Sequence, residues 1–135
     1  MSQENVEAFK RGLDAANRRD VEALLEWADP AMEWHPALPV LLEGDSMVYR
    51  GHEGVRKLFR DIYEAFSEFR VEISEIQDLD DRIIAIGSMR ARGRESGAVT
   101  GSPLAYLVQL KNGKAIQIRS YLDPKRALDA AGRSE

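Results

Sequence analysis

The sequence predicts an α+β domain: one cone-shaped, curved antiparallel β-sheet wrapped around N-terminal helices and enclosing a pocket. Three observations carry this. Helical periodicity comes first in the chain and strand-like alternation comes last, an order that does not build a parallel βαβ sheet. Lys111-Asn112-Gly113-Lys114 holds an Asn-Gly pair, the strongest short hairpin signal in the chain, so the last two strands are antiparallel neighbours. The 135 residues, without internal repeat or low-complexity segment, suit one domain over 1–135 with its own core.

Each element follows from local pattern. Val6, Phe9, Leu13 and Ala16 recur at three-and-four spacing and predict a helix from about Gln3 to Asn17. Asp20 is a plausible N-cap for a second helix burying Val21, Leu24, Leu25 and Trp27. Asp29-Pro30 is expected to end it. Ala31 to Ala37 reads as a short strand, and Glu53 to Phe66 as the longest helix, with Val55, Leu58, Phe59, Ile62 and Phe66 inward. The Gly51-x-x-Gly54 opening lacks the neighbours of a phosphate cradle and reads as a loop and helix start. Phe69, Val71 and Ile73 then alternate with polar residues. Asp80-Asp81 marks a turn, and strands are expected over Arg82–Arg92, Ser102–Leu110 and Lys114–Leu122. Pro124 starts a last short helix, stopped by Gly132. Glu43 to Gly54 and Arg92 to Ser102, with three glycines each, read as linkers.

Composition excludes several function classes. A net charge of -4 and a pI near 5.3 do not suit non-specific nucleic-acid binding, which needs a basic surface. With no cysteine there is no disulfide, thiolate metal site or cysteine nucleophile. No apolar run approaches membrane-spanning length, and Met1-Ser2-Gln3-Glu4 is polar and acidic, so a cytoplasmic protein with no membrane partner is expected.

The segments Asp20 to Pro30, Glu33-Trp34-His35-Pro36, Gly51 to Phe59, Asn112-Gly113-Lys114 and Ile118 to Asp123 together resemble the nuclear-transport-factor-2-like superfamily, in its SnoaL-like and ketosteroid-isomerase-like branch. The resemblance covers nearly the whole chain. It implies a cone-shaped fold with a pocket, no cofactor, and a homodimer through the sheet face carrying Leu107, Gln109, Gln117, Arg119 and Tyr121. That fold hosts isomerases, cyclases, epoxide hydrolases, dehydratases and non-catalytic domains, so function must come from the site.

The resemblance places His35 where the isomerases carry a general-base aspartate, and Tyr106 where they carry a neutral aspartic acid in the oxyanion hole. A neutral imidazole can accept a proton near physiological pH, and a phenol can donate to a developing enolate. His35, Tyr106 and Arg90 are therefore the expected catalytic residues, with Arg90 an electrostatic aid. Phe9, Leu13, Trp27, Phe59, Tyr63, Ser88, Leu104, Val108, Ile118 and Ser120 are expected to line the substrate pocket. Trp34 takes the opposite parity from His35, and Tyr49 and His52 are placed at the mouth. His52, His35 and Glu33 lack a recognised ligand spacing, so no metal is expected.

Two departures narrow the chemistry. Arg11-Gly12-Leu13 lacks the first-helix tyrosine of the isomerases. Ser120 stands where the cyclases and epoxide hydrolases carry an acid, and Ser88-Met89-Arg90 where the hydrolases carry an Arg-x-Asp pair. True steroid isomerisation and epoxide hydrolysis are disfavoured. The expected function is cofactor-free proton transfer on a small apolar or cyclic carbonyl compound; non-catalytic binding of a small hydrophobic ligand, or a dimerisation scaffold, are the alternatives.

Overall fold

The structure is a computed structural model and describes residues 2–36 and 48–132. In chain order the elements are α1 (Ser2–Asn17), α2 (Val21–Leu25), β1 (Ala28–His35), β2 (Tyr49–Arg50), α3 (Gly51–Ala65), β3 (Phe66–Asp78), β4 (Arg82–Gly93), β5 (Val99–Lys111), β6 (Lys114–Tyr121) and α4 (Pro124–Ala130). The described strands form one sheet in the order β2-β1-β6-β5-β4-β3. α1, α2 and α3 pack on its inner face, as the sequence predicts. The expected end of the first strand at Ala37 and residues 43–47 of the expected linker lie outside the described residues.

Local chemistry fixes the element ends. Asp20 accepts from the Ala23 amide at 3.1 Å and caps α2. Asn112 (φ 55) and Gly113 (φ 78) take the left-handed pair of a two-residue hairpin, setting Lys111 opposite Lys114. Asp123 accepts from the Lys125 amide at 3.0 Å, with Pro124 opening α4 behind it. The Gly51-x-x-Gly54 motif serves a tight strand-to-helix turn. Gly51 has φ +70, and a Cβ on Gly54 would lie 2.8 Å from the Tyr49 carbonyl carbon.

The curvature has an identifiable source. β3 carries a register shift between Ile73 and Glu75, and Gly87 of β4 faces it. A Cβ there would lie 1.9 Å from the Glu72 carbonyl oxygen, so the two backbones approach more closely than any other residue allows. β3 is also a sheet edge, and α1 covers it. The Asn17 amide accepts from Val71 N at 3.1 Å and donates to Val71 O at 2.9 Å, standing in for a neighbouring strand. Asn5 donates to Asp80 O at 2.9 Å and Arg19 to Ser67 O, so α1 is fastened along that edge at three places.

Five details differ from expectation. β1 pairs with β6 in parallel, the long connection such pairing needs being the whole run from β2 and α3 through β3, β4 and β5. α2 stops at Leu25, and Asp29-Pro30 lies inside β1, where the β1–β6 register shift between Ala28 and Glu33 tolerates a residue with no N–H. β2 is an additional short strand, paired with β1. Residues 92–102 are mostly the arms of the β4–β5 hairpin rather than a linker. α4 packs on the outer face, where Ala127 and Ala131 bury against Ile84, Ala105 and Leu107, with Tyr121 alongside. Leu107 and Tyr121, two residues of the expected dimer face, are thus engaged within the chain.

The main core lies between the sheet and α1–α3, where Met32, Val55, Ile83, Ala85 and Val108 are fully buried. At the far end of α3 the chain passes from helix to strand without a loop, leaving carbonyls of the last turn open. Arg94, from the β4–β5 turn, fills this gap: its guanidinium donates to Tyr63 O and to Phe66 O, while its amide donates to Ala65 O at 2.9 Å.

Candidate ligand cavity

A cavity lies between the inner sheet face and α1–α3. It bounds about 820 Å³ of empty space, mouth included, of which about 70 Å³ is open to the centre of a water molecule. The wall is mainly aromatic and aliphatic. Of the residues the sequence assigns to it, Phe9, Leu13, Trp27, Phe59, Tyr63, Leu104, Tyr106, Ile118 and Ser120 line it. Val108 shares the face of Leu104 and Tyr106 but lies in the closed core, fully buried.

Three other assignments do not reach the cavity. His35 lies on the outer face of β1, because Met32 and Trp34 point inward and side chains alternate along a strand. Its ring nitrogen Nε2 is 3.4 Å from Glu33 Oε1, and Glu33 also accepts from Arg50 on β2. The hydrogen bond with His35, with the Arg50 charge assisting, holds the Glu33 carboxyl below its usual pKa. Ser88 and Arg90 are exposed on the outer face of β4, since Met89 takes the inward parity. Arg90 therefore has no contact with the cavity that would let it steady a bound anion there.

The residues placed at the mouth also have other work. Tyr49 is buried and donates to Asp61 Oδ2 at 2.8 Å, tying β2 to α3; burial, helped by the Asp61 carboxylate, pushes its pKa up to about 12. His52 donates through Nε2 to Ala28 O at 2.9 Å and holds the start of α3 against β1.

The sequence reading missed Trp34, Asn17, Phe69 and Met89 as wall residues. Trp34 matters most: its indole N–H donates to Ser120 Oγ at 3.2 Å and fixes that hydroxyl at the wall. The signal was present, because apolar Met32 and Trp34 alternate with polar Glu33 and His35. The absence of a tyrosine at Gly12 also has a structural counterpart. Trp27 fills the space, and a Cβ on Gly12 would lie 2.8 Å from Trp27 Cε3.

Polar atoms in the wall are few. Tyr106 is partly buried, facing the cavity, and its hydroxyl has no hydrogen-bond partner among the described residues; desolvation raises its pKa well above the usual tyrosine value of 10. It therefore stays protonated and able to donate at physiological pH. The Tyr63 hydroxyl and the Trp27 indole N–H are fully enclosed without a partner among the described residues. Burial raises the Tyr63 pKa too, opposed by the charge of Arg19, whose guanidinium stacks 4.6 Å from the ring centre. An unpaired buried donor costs roughly 1–3 kcal/mol, so these two, on Trp27 and Tyr63 of one cavity wall, favour an occupant that brings acceptors. No Asp, Glu, His, Lys or Arg among the described residues lines the cavity. The described wall supplies hydrogen bonds and apolar contact but no strong base.

The SnoaL-like domain profile matches residues 9–118, most of the chain and all the elements that build the cavity except the start of α1 and the end of β6. The chain belongs to the SnoaL-like family. Solved structures agree on the fold of this SnoaL-like protein. A nuclear-transport-factor-2-like protein of unknown function from Burkholderia pseudomallei superposes with a TM-score of 0.79 at 20% identity, covering 93% of this chain and 95% of that one. TerC, co-crystallised with polyporic acid, gives 0.78 at 21% identity, covering 89% and 92%. A candidate SnoaL-like polyketide cyclase from Jannaschia gives 0.77 at 17% identity, covering 99% and 94%. These likenesses establish the fold alone. No curated protein matches the SnoaL-like chain. None of its described helices is long and apolar enough to cross a membrane.

Proposed function

We propose that this SnoaL-like chain binds a small, flat, mostly apolar compound in its cavity, and that Tyr106 donates a hydrogen bond to an oxygen of that compound. The observation that carries this is the Tyr106 hydroxyl, on a side chain that lines the cavity, held protonated, and without a partner among the described residues. The aromatic wall suits a ring system, and the co-crystallisation of TerC with polyporic acid supports a small-molecule occupant for a cavity of this fold.

A donor to a carbonyl oxygen stabilises negative charge there and raises the acidity of the adjacent C–H. That is half of the isomerase-like or cyclase-like proton transfer the resemblance implies. The other half is a base within reach of the carbon, and His35 stands on the far side of the sheet. The described wall therefore favours binding without proton abstraction over turnover. A scaffold with a vestigial cavity is the remaining alternative: the aromatic side chains leave about 70 Å³ open to the centre of a water molecule, so a bound ring has to move some of them aside. A homodimer, if formed, would use the part of the outer face that α4 leaves uncovered, around Gln109, Gln117 and Arg119.

Calorimetric titration with 9-fluorenone, a flat ketone, tests this reading. Saturable binding of one molecule per chain, weakened roughly 3- to 10-fold by Tyr106→Phe, is expected from the loss of one hydrogen bond. No saturable binding, or equal binding by the variant, would overturn it. Proton NMR of 1-indanone in heavy water tests the catalytic half. The binding reading predicts no acceleration of α-proton exchange, and acceleration by catalytic amounts of protein would restore proton transfer.

A further inference from the structure

The cavity aromatics form one continuous chain of ring contacts. Trp27 meets Phe9 at 5.9 Å between centroids, Phe9 meets Tyr106 at 6.5 Å, and Tyr106 meets Trp34 at 6.3 Å, all edge to face. Trp34 then meets Phe59 at 5.8 Å, and Phe59 meets Tyr63 at 5.9 Å. The two termini of this chain, Trp27 and Tyr63, carry the two enclosed side-chain polar atoms that have no partner among the described residues. The middle carries Tyr106. Of the rings between them, Phe9 and Phe59 have no polar atom, and the Trp34 indole N–H is already bonded to Ser120. The unpaired donors thus stand at the two ends and in the middle of the chain of rings.

We propose that Trp27 and Tyr63 are specificity-determining residues that select a ligand with hydrogen-bond acceptors at both of its ends. This rests on the reading that the cavity binds a small molecule. An indole N–H can only donate, so the group facing Trp27 must be an acceptor such as a carbonyl, ether or hydroxyl oxygen. Burial keeps the Tyr63 hydroxyl protonated, so it too offers a proton. Each donor's ring is held on one side: Trp27 lies against Gly12, and Tyr63 lies beneath Arg19 with its backbone carbonyl bound by Arg94. Fixed donors discriminate more sharply than mobile ones, because a ligand lacking the acceptor leaves them unpaired.

The test is a titration series on one flat tricycle with no, one or three oxygens: fluorene, 9-fluorenone and 2,7-dihydroxy-9-fluorenone. Each is measured against the wild-type chain, Trp27→Phe and Tyr63→Phe. The readout is the affinity ratio of dihydroxyfluorenone to fluorene, which cancels packing lost with the indole. The proposal predicts a wild-type ratio above roughly 10, reduced about 3- to 10-fold by either variant. A ratio that neither variant changes would mean the two donors bind only water, and the proposal fails while the cavity remains a binding site. If none of the three compounds binds the wild-type chain, the binding reading fails and this proposal fails with it.

Discussion

The indole N–H of Trp34 lies 3.2 Å from the hydroxyl of Ser120, joining β1 to β6 across the cavity wall. The contact follows from the parity of β1. Burial of Met32 and Trp34 puts Trp34 inside and sends Glu33 and His35 to the outer face, so the chemistry of the cavity depends on Tyr106 rather than on a histidine.

Tyr106→Phe removes a cavity-wall hydroxyl that bonds nothing among the described residues. The folded state therefore loses no internal hydrogen bond, and urea denaturation is expected to give a stability within about 1 kcal/mol of wild type, with any change towards greater stability. Ligand affinity falls while stability does not. A fall in stability above about 2 kcal/mol would mean the hydroxyl has a structural partner.

His35→Ala is expected to leave cavity binding unchanged and to lower stability by about 1 kcal/mol or less, the loss of one partly exposed hydrogen bond to Glu33. Parallel calorimetry on the variant and wild type checks this. A several-fold loss of affinity would return His35 to the site.

Glu33 supplies a pH signature. Its folded pKa is lowered from 4.5, chiefly by the hydrogen bond with His35, so its stabilising effect is present above pH 4.5 and is lost as pH falls through the lower folded value. The Tm difference between wild type and Glu33→Gln should be present at pH 6 and shrink steadily below pH 4.5. A difference that grew on acidification would contradict the arrangement of Glu33, His35 and Arg50. Salt should also weaken it, since the group is partly exposed.

Gly87→Ala should be among the most damaging small substitutions in the chain. The new methyl would meet the Glu72 carbonyl oxygen at 1.9 Å, and both partners are backbone. A loss of roughly 2–4 kcal/mol in urea denaturation is expected, because the β3–β4 bend must open. Near-wild-type stability would show that the bulge can move aside.

Arg94→Ala removes the donors that close the last turn of α3. A loss of about 1–2 kcal/mol is expected, with only partial recovery in Arg94→Lys, since an ammonium lacks the planar fork that reaches both carbonyls. Thermal melts of the three proteins side by side decide it. Full recovery by lysine would reduce the role of Arg94 to its charge.

Much of the fold was legible because it is written locally. Asn112-Gly113 encodes its own turn, Asp20 and Asp123 their own caps, and the spacing of Phe9, Leu13, Phe59 and Ile62 the faces that close the cavity. The parallel β1–β6 pairing and the Asn17 clamp on Val71 were not legible, since each joins distant segments and leaves no local trace. The parity of the site was recoverable and went astray for a definite reason. Met32 and Trp34 alternate with Glu33 and His35, and Met89 and Ala91 with Ser88, Arg90 and Arg92. In both strands the apolar set faces inward. The likeness at Glu33-Trp34-His35-Pro36 pointed the other way, and burial follows the chain's own alternation rather than a relative's motif.

The most direct test of the account is a crystal structure of the full chain with 9-fluorenone. The account predicts the ketone inside the aromatic belt, its oxygen about 3 Å from the Tyr106 hydroxyl, with His35 still paired to Glu33 on the outer face. A ketone seated against His35, or a cavity left empty while the compound binds elsewhere, would contradict it.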